Sequence, residues 1–162
     1  MYENYEKMLF PLNPEEWPYV AGERIWVEPV GNGDPNVRKF RLLNSPFHAH
    51  GVSYLDIVRG IPEEDGEGLE YGGTIEKSGR STLWLMVPAG PGFEKYWPTL
   101  QDLGCTYEGS NEDTKTQKRI LYSVDVPPET DIERVLSIVG HAQSEGVWGY
   151  QIGHLAHKRA VR

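Results

Sequence analysis

His48 and His50, one residue apart in the run Asn44–Val58, are the side chains of this sequence with the most pointed chemistry to offer. Imidazoles at alternate positions project to one side of an extended chain, and such a pair could begin a zinc site. Structural zinc takes four ligands and catalytic zinc three. The missing ones would have to be His141, His154, His157 or a distant carboxylate, and no spacing brings any of these in. We therefore expect no metal and no cofactor, with His48 and His50 as exposed or hydrogen-bonded loop histidines. His154 alternates with Ile152 and belongs at a core margin.

The other reactive residues point away from a reaction. No Gly-x-Ser-x-Gly elbow is present, and Cys105 lacks a cysteine-protease context. A thiol just past a helix end is normally inert filling. Gly90-Pro91-Gly92 precedes a helix as an anion loop would, but Pro91 removes a donor and no Lys-Ser or Lys-Thr follows. Glu63, Glu64, Asp65 and Glu67 form a solvated acidic turn. No catalytic residue is assigned.

The elements that must position these groups divide near Gly79. Residues 1–22 contain Pro11, Pro14 and Pro18 among aromatics, so we expect an ordered arm with no more than a short turn near Glu15 and Glu16. Arg24–Val30 alternates Ile25 and Val27 against Arg24, Trp26 and Glu28, and Val37–Leu43 turns Phe40 and Leu42 inward. With Gly31–Pro35 between them these strands form a hairpin. Val52–Val58 is the third strand. Leu69–Lys77 is the fourth, with Leu69, Tyr71, Gly73 and Ile75 on one side. Short strands without a helix predict an N-terminal bent antiparallel sheet or half-open small barrel over residues 1–79.

Residues 80–162 follow another pattern. Ser81–Val87 is apolar on both faces, as in a central strand. A helix carries Phe93, Tyr96, Trp97, Leu100 and Leu103, either kinked at Pro98 or regular only from about Trp97, and Gly104 ends it. Cys105–Glu108 is a short strand, Gly109–Gln117 a polar loop, and Lys118–Val126 a strand with Ile120, Tyr122, Val124 and Val126 on one face. Thr130 and Glu133 have capping-box spacing before a helix that buries Ile132, Val135, Leu136 and Val139 and stops at Gly146. Val147–Leu155 closes with Trp148, Tyr150 and Ile152 inward. This order predicts an α+β chain whose second part is a ferredoxin-like βαββαβ unit, joined to the first as one compact body.

Composition narrows the partners. The 162 residues are 38% hydrophobic and 25% charged, a globular balance, with net charge −8. Residues 1–79 hold seven Lys/Arg against fourteen Asp/Glu, and residues 80–162 nine against ten. Such a field disfavours nucleic acid and attracts a basic protein. No apolar run is long enough to span a bilayer, the first residues lack a signal-peptide layout, and the single cysteine fits a reducing compartment. We expect a cytoplasmic protein that binds neither membrane nor nucleic acid.

Several runs resemble a bacterial family known as domain-of-unknown-function family 4265. They are Glu23-Arg-Ile-Trp-Val-Glu-Pro29, Asn44-Ser-Pro-Phe47, Gly51-Val-Ser-Tyr54 with Asp56 and Val58, Ser78-Gly-Arg-Ser-Thr82, Leu103–Gly109 and Val124–Glu129. The family usually carries Gly before the aspartate matching Asp56, where this chain has Leu55. The resemblance spans nearly the whole chain and implies a soluble bacterial protein, with no reaction, cofactor or catalytic residue attached.

The expected function is a noncatalytic protein-binding module, of inhibitor or immunity type, directed at a basic partner such as a toxin. Its contact residues would be Phe47, His48, His50 and Tyr54, on a loop fixed by Pro46 and Gly51. The structural alternative makes Phe47 and Tyr54 a plug for the open end of the barrel. A small-molecule-sensing or regulatory domain is the runner-up, and an enzyme of unknown reaction the third reading.

Overall fold

Alternation in the first half produces strands whose apolar residues share one side, and these strands close on themselves. The computed structural model describes residues 4–31, 34–114 and 117–160, with 111–114 and 117–118 described by backbone alone. It falls into two compact units, Met1–Ser78 and Gly79–Arg162.

In the first unit, β1 (Glu6–Pro11), β2 (Gly22–Pro29), β3 (Lys39–Leu42), β4 (Ile57–Pro62) and β5 (Leu69–Glu76) form a closed barrel in sequence order. Neighbouring strands are antiparallel. In a meander with an odd number of strands the first and last run the same way. The closing β1–β5 pair is accordingly parallel, at Met8↔Leu69 and Leu9↔Glu70. Met8, Phe10, Ile25, Val27, Phe40, Leu42, Val58 and Leu69 fill the interior together with Ala49 and Val52. Gly60 leaves room for the Phe40 ring, since a Cβ there would lie 2.6 Å from it.

Three expectations change here. The proline-rich start is not only an arm, because β1 supplies the strand that shuts the barrel, which is closed and not half-open. Its prolines fall at the strand end (Pro11) and beyond, where no ladder donor is needed. The third strand begins at Ile57, not Val52, because residues 52–56 turn around Asp56. Finally, Arg59 lies opposite two residues, Gly72 and Gly73, in a bulge with Gly73 at φ +117°. That extra residue reverses the alternation, so Ile75 points outward and is 44% exposed. Of the expected Gly31–Pro35 turn, Asn32 and Gly33 lie outside the described residues.

The second unit contains β6 (Ser81–Pro88), α1 (Gly92–Asp102), β7 (Thr106–Thr114), β8 (Gln117–Val126), α2 (Ile132–Ser144) and β9 (Gly149–His154). Its sheet runs β7-β8-β6-β9, antiparallel throughout. Leu83, Leu85 and Val87 meet Phe93, Trp97, Leu100, Val135, Leu136, Val139 and Trp148 in one core. The Phe93 ring stacks on Tyr122 with centroids 4.2 Å apart.

α1 runs through Pro98, with no fresh start near Trp97. Both helices end in the same device. The Gly104 and Cys105 amides donate to Gln101 and Leu100, and the Gly146 and Val147 amides to Gln143 and Ala142, each glycine at positive φ. The capping box is displaced: Asp131 is the N-cap of α2, accepting from Glu133 and Arg134 N–H, while the Thr130 hydroxyl donates to Leu103 O. The expected 109–117 loop is largely strand, since β7 follows β8 to Thr114 and only 115–116 lie outside the described residues. A polar edge strand shows no apolar alternation, which is why it reads as loop. On β9 Tyr150 packs on the core, but Ile152, on the edge strand, is 36% exposed. Trp148, just before the strand, is buried and donates its indole N–H to Val139 O at 3.0 Å.

Candidate functional site

Between β3 and β4 the chain makes a long excursion, residues 43–56, containing all four expected contact residues. Two carboxylates shape it. Glu23, at the start of β2, accepts backbone N–H bonds from Phe47 (2.6 Å), His48 (2.9 Å) and Ala49 (2.9 Å). Successive amides converging on one anion form a concave nest, and bonds to a charged acceptor are the stronger kind. Asp56, itself 1% exposed, accepts from Ser53 N (3.0 Å) and Ser78 N (2.8 Å), with Lys77 Nζ 3.8 Å away. Lys77 also donates to Gly51 O, and the Ser78 hydroxyl to Tyr54 O. Both ends of the excursion are thereby tied to the barrel.

Leu55 sits at φ +65°, the one positive-φ residue other than glycine among those described. A glycine would adopt that backbone without strain, whereas a leucine there is costly. The turn persists because Leu55 N donates to Leu42 O and Leu42 N to Asp56 O.

The buried members of the excursion are not the aromatic ones. Ala49 and Val52 enter the barrel core, taking the place that the structural alternative gave to Phe47 and Tyr54. Phe47, His48 and Tyr54 are half-buried and His50 is exposed. His48 and His50 are not strand neighbours, yet both meet the same turn of the arm. The His48 ring stands edge-on to Trp17 at 4.6 Å, and His50 Nε2 lies 3.4 Å from Glu16 Oε2. That turn is closed by Trp17 N donating to Asn13 O and Glu15 N to Asn13 Oδ1. Tyr19, two residues on, is 98% exposed. Sequence reading missed Glu16, Trp17, Glu23 and Asp56 as members of this site. Glu23 and Asp56 fall in the runs that carry the family resemblance; Glu16 and Trp17 left no signal.

The second unit holds a pair that looks catalytic and is not built so. Ser81 Oγ lies 2.6 Å from His157 Nδ1, and His157 Nε2 lies 2.8 Å from Pro127 O. A carbonyl only accepts, so Nε2 carries the proton and the Ser81 hydroxyl donates to Nδ1. Ser81 Oγ in turn accepts from the amides of Ala156 and His157 and is fully buried. The pair staples the segment after β9 to β6.

Cys105 is 1% exposed, and burial, with the Asp125 charge adding to it, pushes its thiol up to about 12. It is protonated and inert at neutral pH. Asp125 is buried beside Arg80, with Oδ1 lacking a hydrogen-bond partner. Burial raises its carboxyl above the usual range although the guanidinium pulls the other way. Glu63 pairs with Arg24 at 2.9 Å across the acidic turn, and Pro91 is the N-cap of α1. Among the described residues no three His, Cys, Asp or Glu side chains are grouped as a metal centre needs. An open cleft of about 510 Å³ lies by the start of α2, lined in part by Asp131, Glu133, His157 and Arg159. No helix of the described residues is long and apolar enough to cross a membrane.

No curated protein matches the sequence. A crystal structure of a hypothetical protein from Neisseria gonorrhoeae is similar in fold, with a TM-score of 0.70 and 17% identity over 94% of this chain and 96% of that one. The family described as a domain of unknown function, DUF4265, matches residues 23–150 and so takes in β2 through the start of β9, Glu23, Asp56 and the whole excursion between β3 and β4; the chain belongs to that family.

Proposed function

We propose that this protein is a noncatalytic binding module whose contact surface is the 47–54 loop together with the Asn13–Tyr19 turn. The observation that carries the reading is the Glu23 carboxylate, which holds three consecutive amides and so fixes His48 and His50 before any partner arrives. A loop ordered in advance loses little entropy on binding. Aromatic and imidazole side chains give contact area with few rotors, and Tyr19, Trp17 and His48 supply them beside exposed His50. Glu15 and Glu16 make the rim acidic, which favours a basic protein partner such as a toxin held by an immunity-type inhibitor. A cytoplasmic location follows from the same reading.

The test is purification of the tagged protein from its native cell at low and high salt. A stoichiometric basic protein should co-purify, weaken as salt rises, and be lost from the His48→Ala/His50→Ala variant while the melting temperature holds. Absence of any stoichiometric protein would count against the module.

A second reading, a small-molecule-sensing domain, draws on the cleft beside α2. It goes with taking the second unit as ferredoxin-like, which the order β7-β8-β6-β9 with helices after β6 and β8 supports. A thermal-shift screen over metabolites separates the two, because a ligand bound by the folded state alone raises the melting temperature.

A further inference from the structure

The first unit is acidic, so each of its cations has anions to choose from, and five of the seven are engaged. Arg24 pairs with Glu63, Arg38 with Glu6, Arg41 with Glu28 and Lys77 with Asp56, while Lys7 lies over the Trp26 ring. Lys39 and Arg59 are the exceptions: among the described residues neither has an ion-pair partner. They are also directly opposite each other in the β3–β4 ladder. Their neighbours Phe40 and Val58 point into the barrel, so both cations point out. Like charges facing each other across a ladder are unfavourable, and among the described residues no acid forms an ion pair with either. Alongside, Gly72 and Gly73 present no side chain, and the Ile61 and Arg59 side chains lie against Gly72, where a Cβ would come 2.9 Å from Ile61 Cγ2 and 3.5 Å from Arg59 Cγ. The outcome is a strip of barrel wall in which two cations flank Ile61 and the glycines and, among the described residues, have no ion-pair partner.

We infer that the Lys39–Arg59 strip on the outer β3–β4–β5 wall is a docking surface for an extended acidic segment of a protein partner. The guanidinium takes one carboxylate as a fork and the ammonium takes another as a point charge. Carboxylates at alternate positions of an extended segment lie on one side, about 7 Å apart, within reach of two long stems. Two cations are too few for nucleic acid, whose affinity grows with each phosphate neutralised. This surface is independent of the 47–54 loop and would stand if that reading failed.

The probe is a hexaglutamate peptide titrated into the full chain at low salt, followed by backbone amide shifts. Saturable shifts on β3, β4 and Gly72–Gly73 are expected. Binding should weaken at least tenfold in Lys39→Gln/Arg59→Gln, weaken with added salt, and persist unchanged in His48→Ala/His50→Ala. The neutralising pair relieves a repulsion, so its fold should hold, as its melt will show. No saturable shift, or an unaffected double variant, would overturn the inference. So would equal shifts with inorganic phosphate or a short oligonucleotide, either of which would make the strip a general anion site.

Discussion

The barrel and the sheet-and-helix unit secure their irregular segments by different means. In the second unit the helix ends are closed locally, by two glycine-ended C-termini and an Asp131 cap two and three residues from its donors, while longer-range bonds such as Ser81–His157 and Thr130–Leu103 tie the segments around them. In the barrel they are distant: Glu23 is bonded to amides 24 to 26 residues away, and Asp56 to one 22 residues away. Local devices fix an element whatever surrounds it. Distant carboxylates fix a loop only once the barrel has formed; Ala49 and Val52 anchor this loop in the core, and its Phe47, His48 and His50 side chains lie apart from that cluster.

That separation sets the largest expected effect. Phe40→Ala removes a ring that is 1% exposed at the barrel centre and should cost about 3–5 kcal/mol in denaturant unfolding, as buried aromatic deletions do. Phe47→Ala, on the half-buried loop outside that cluster, should cost much less. Equal losses would merge loop and core and remove the contrast.

Next in size is Asp56→Asn. It keeps the volume but replaces one acceptor oxygen by a donor, leaving either the Ser53 or the Ser78 amide without its partner and Lys77 without its charge. A loss of about 1–3 kcal/mol is expected from an unsatisfied buried group. A loss below half of that would mean that the turn is held by the Leu42–Asp56 backbone bonds alone.

Leu55→Gly should act in the opposite direction. Relief of the left-handed conformation is worth about 1–2 kcal/mol, and the greater freedom of unfolded glycine takes back part of it. A rise of roughly half to 1 kcal/mol in unfolding free energy is expected. A fall would show that the leucine side chain contributes more than its backbone costs.

The smallest effect is in pH, because Arg80 offsets part of what burial does to Asp125. The carboxyl is raised in the folded state, so the native protein holds its proton at a pH where the unfolded chain has lost it. Asp125 therefore contributes stability that is complete below about the unfolded value of 3.8 and is lost as pH rises through the folded value. Compared with Asp125→Asn, the wild type should gain relative stability on acidification from neutral pH. A difference that is flat or of opposite sign would contradict the raised carboxyl.

How much of this could be read beforehand follows from the same contrast. The α2 stripe of Ile132, Val135, Leu136 and Val139 and the Ile25/Val27 and Phe40/Leu42 alternations depend on period, and all are buried as expected. β1 was hidden by prolines that lie at and beyond its end, and the outer half of β7 by the polarity of an edge strand. The site was half legible. The composition of Asn44–Val58 marked a shaped loop, but nothing local links Glu23 to Phe47 or Glu16 to His50, because closure of the barrel creates those neighbours.

The central claim is that one carboxylate organises the contact loop in advance, and amide hydrogen exchange tests it most directly. In the wild type the amides of Phe47, His48 and Ala49 should exchange slowly despite their place in a surface loop. In Glu23→Ala they should exchange at rates near those of an unstructured chain, while Val27, Phe40 and Val58 amides in the barrel remain protected. Fast exchange of the three amides in the wild type, or protection that survives Glu23→Ala, would contradict it.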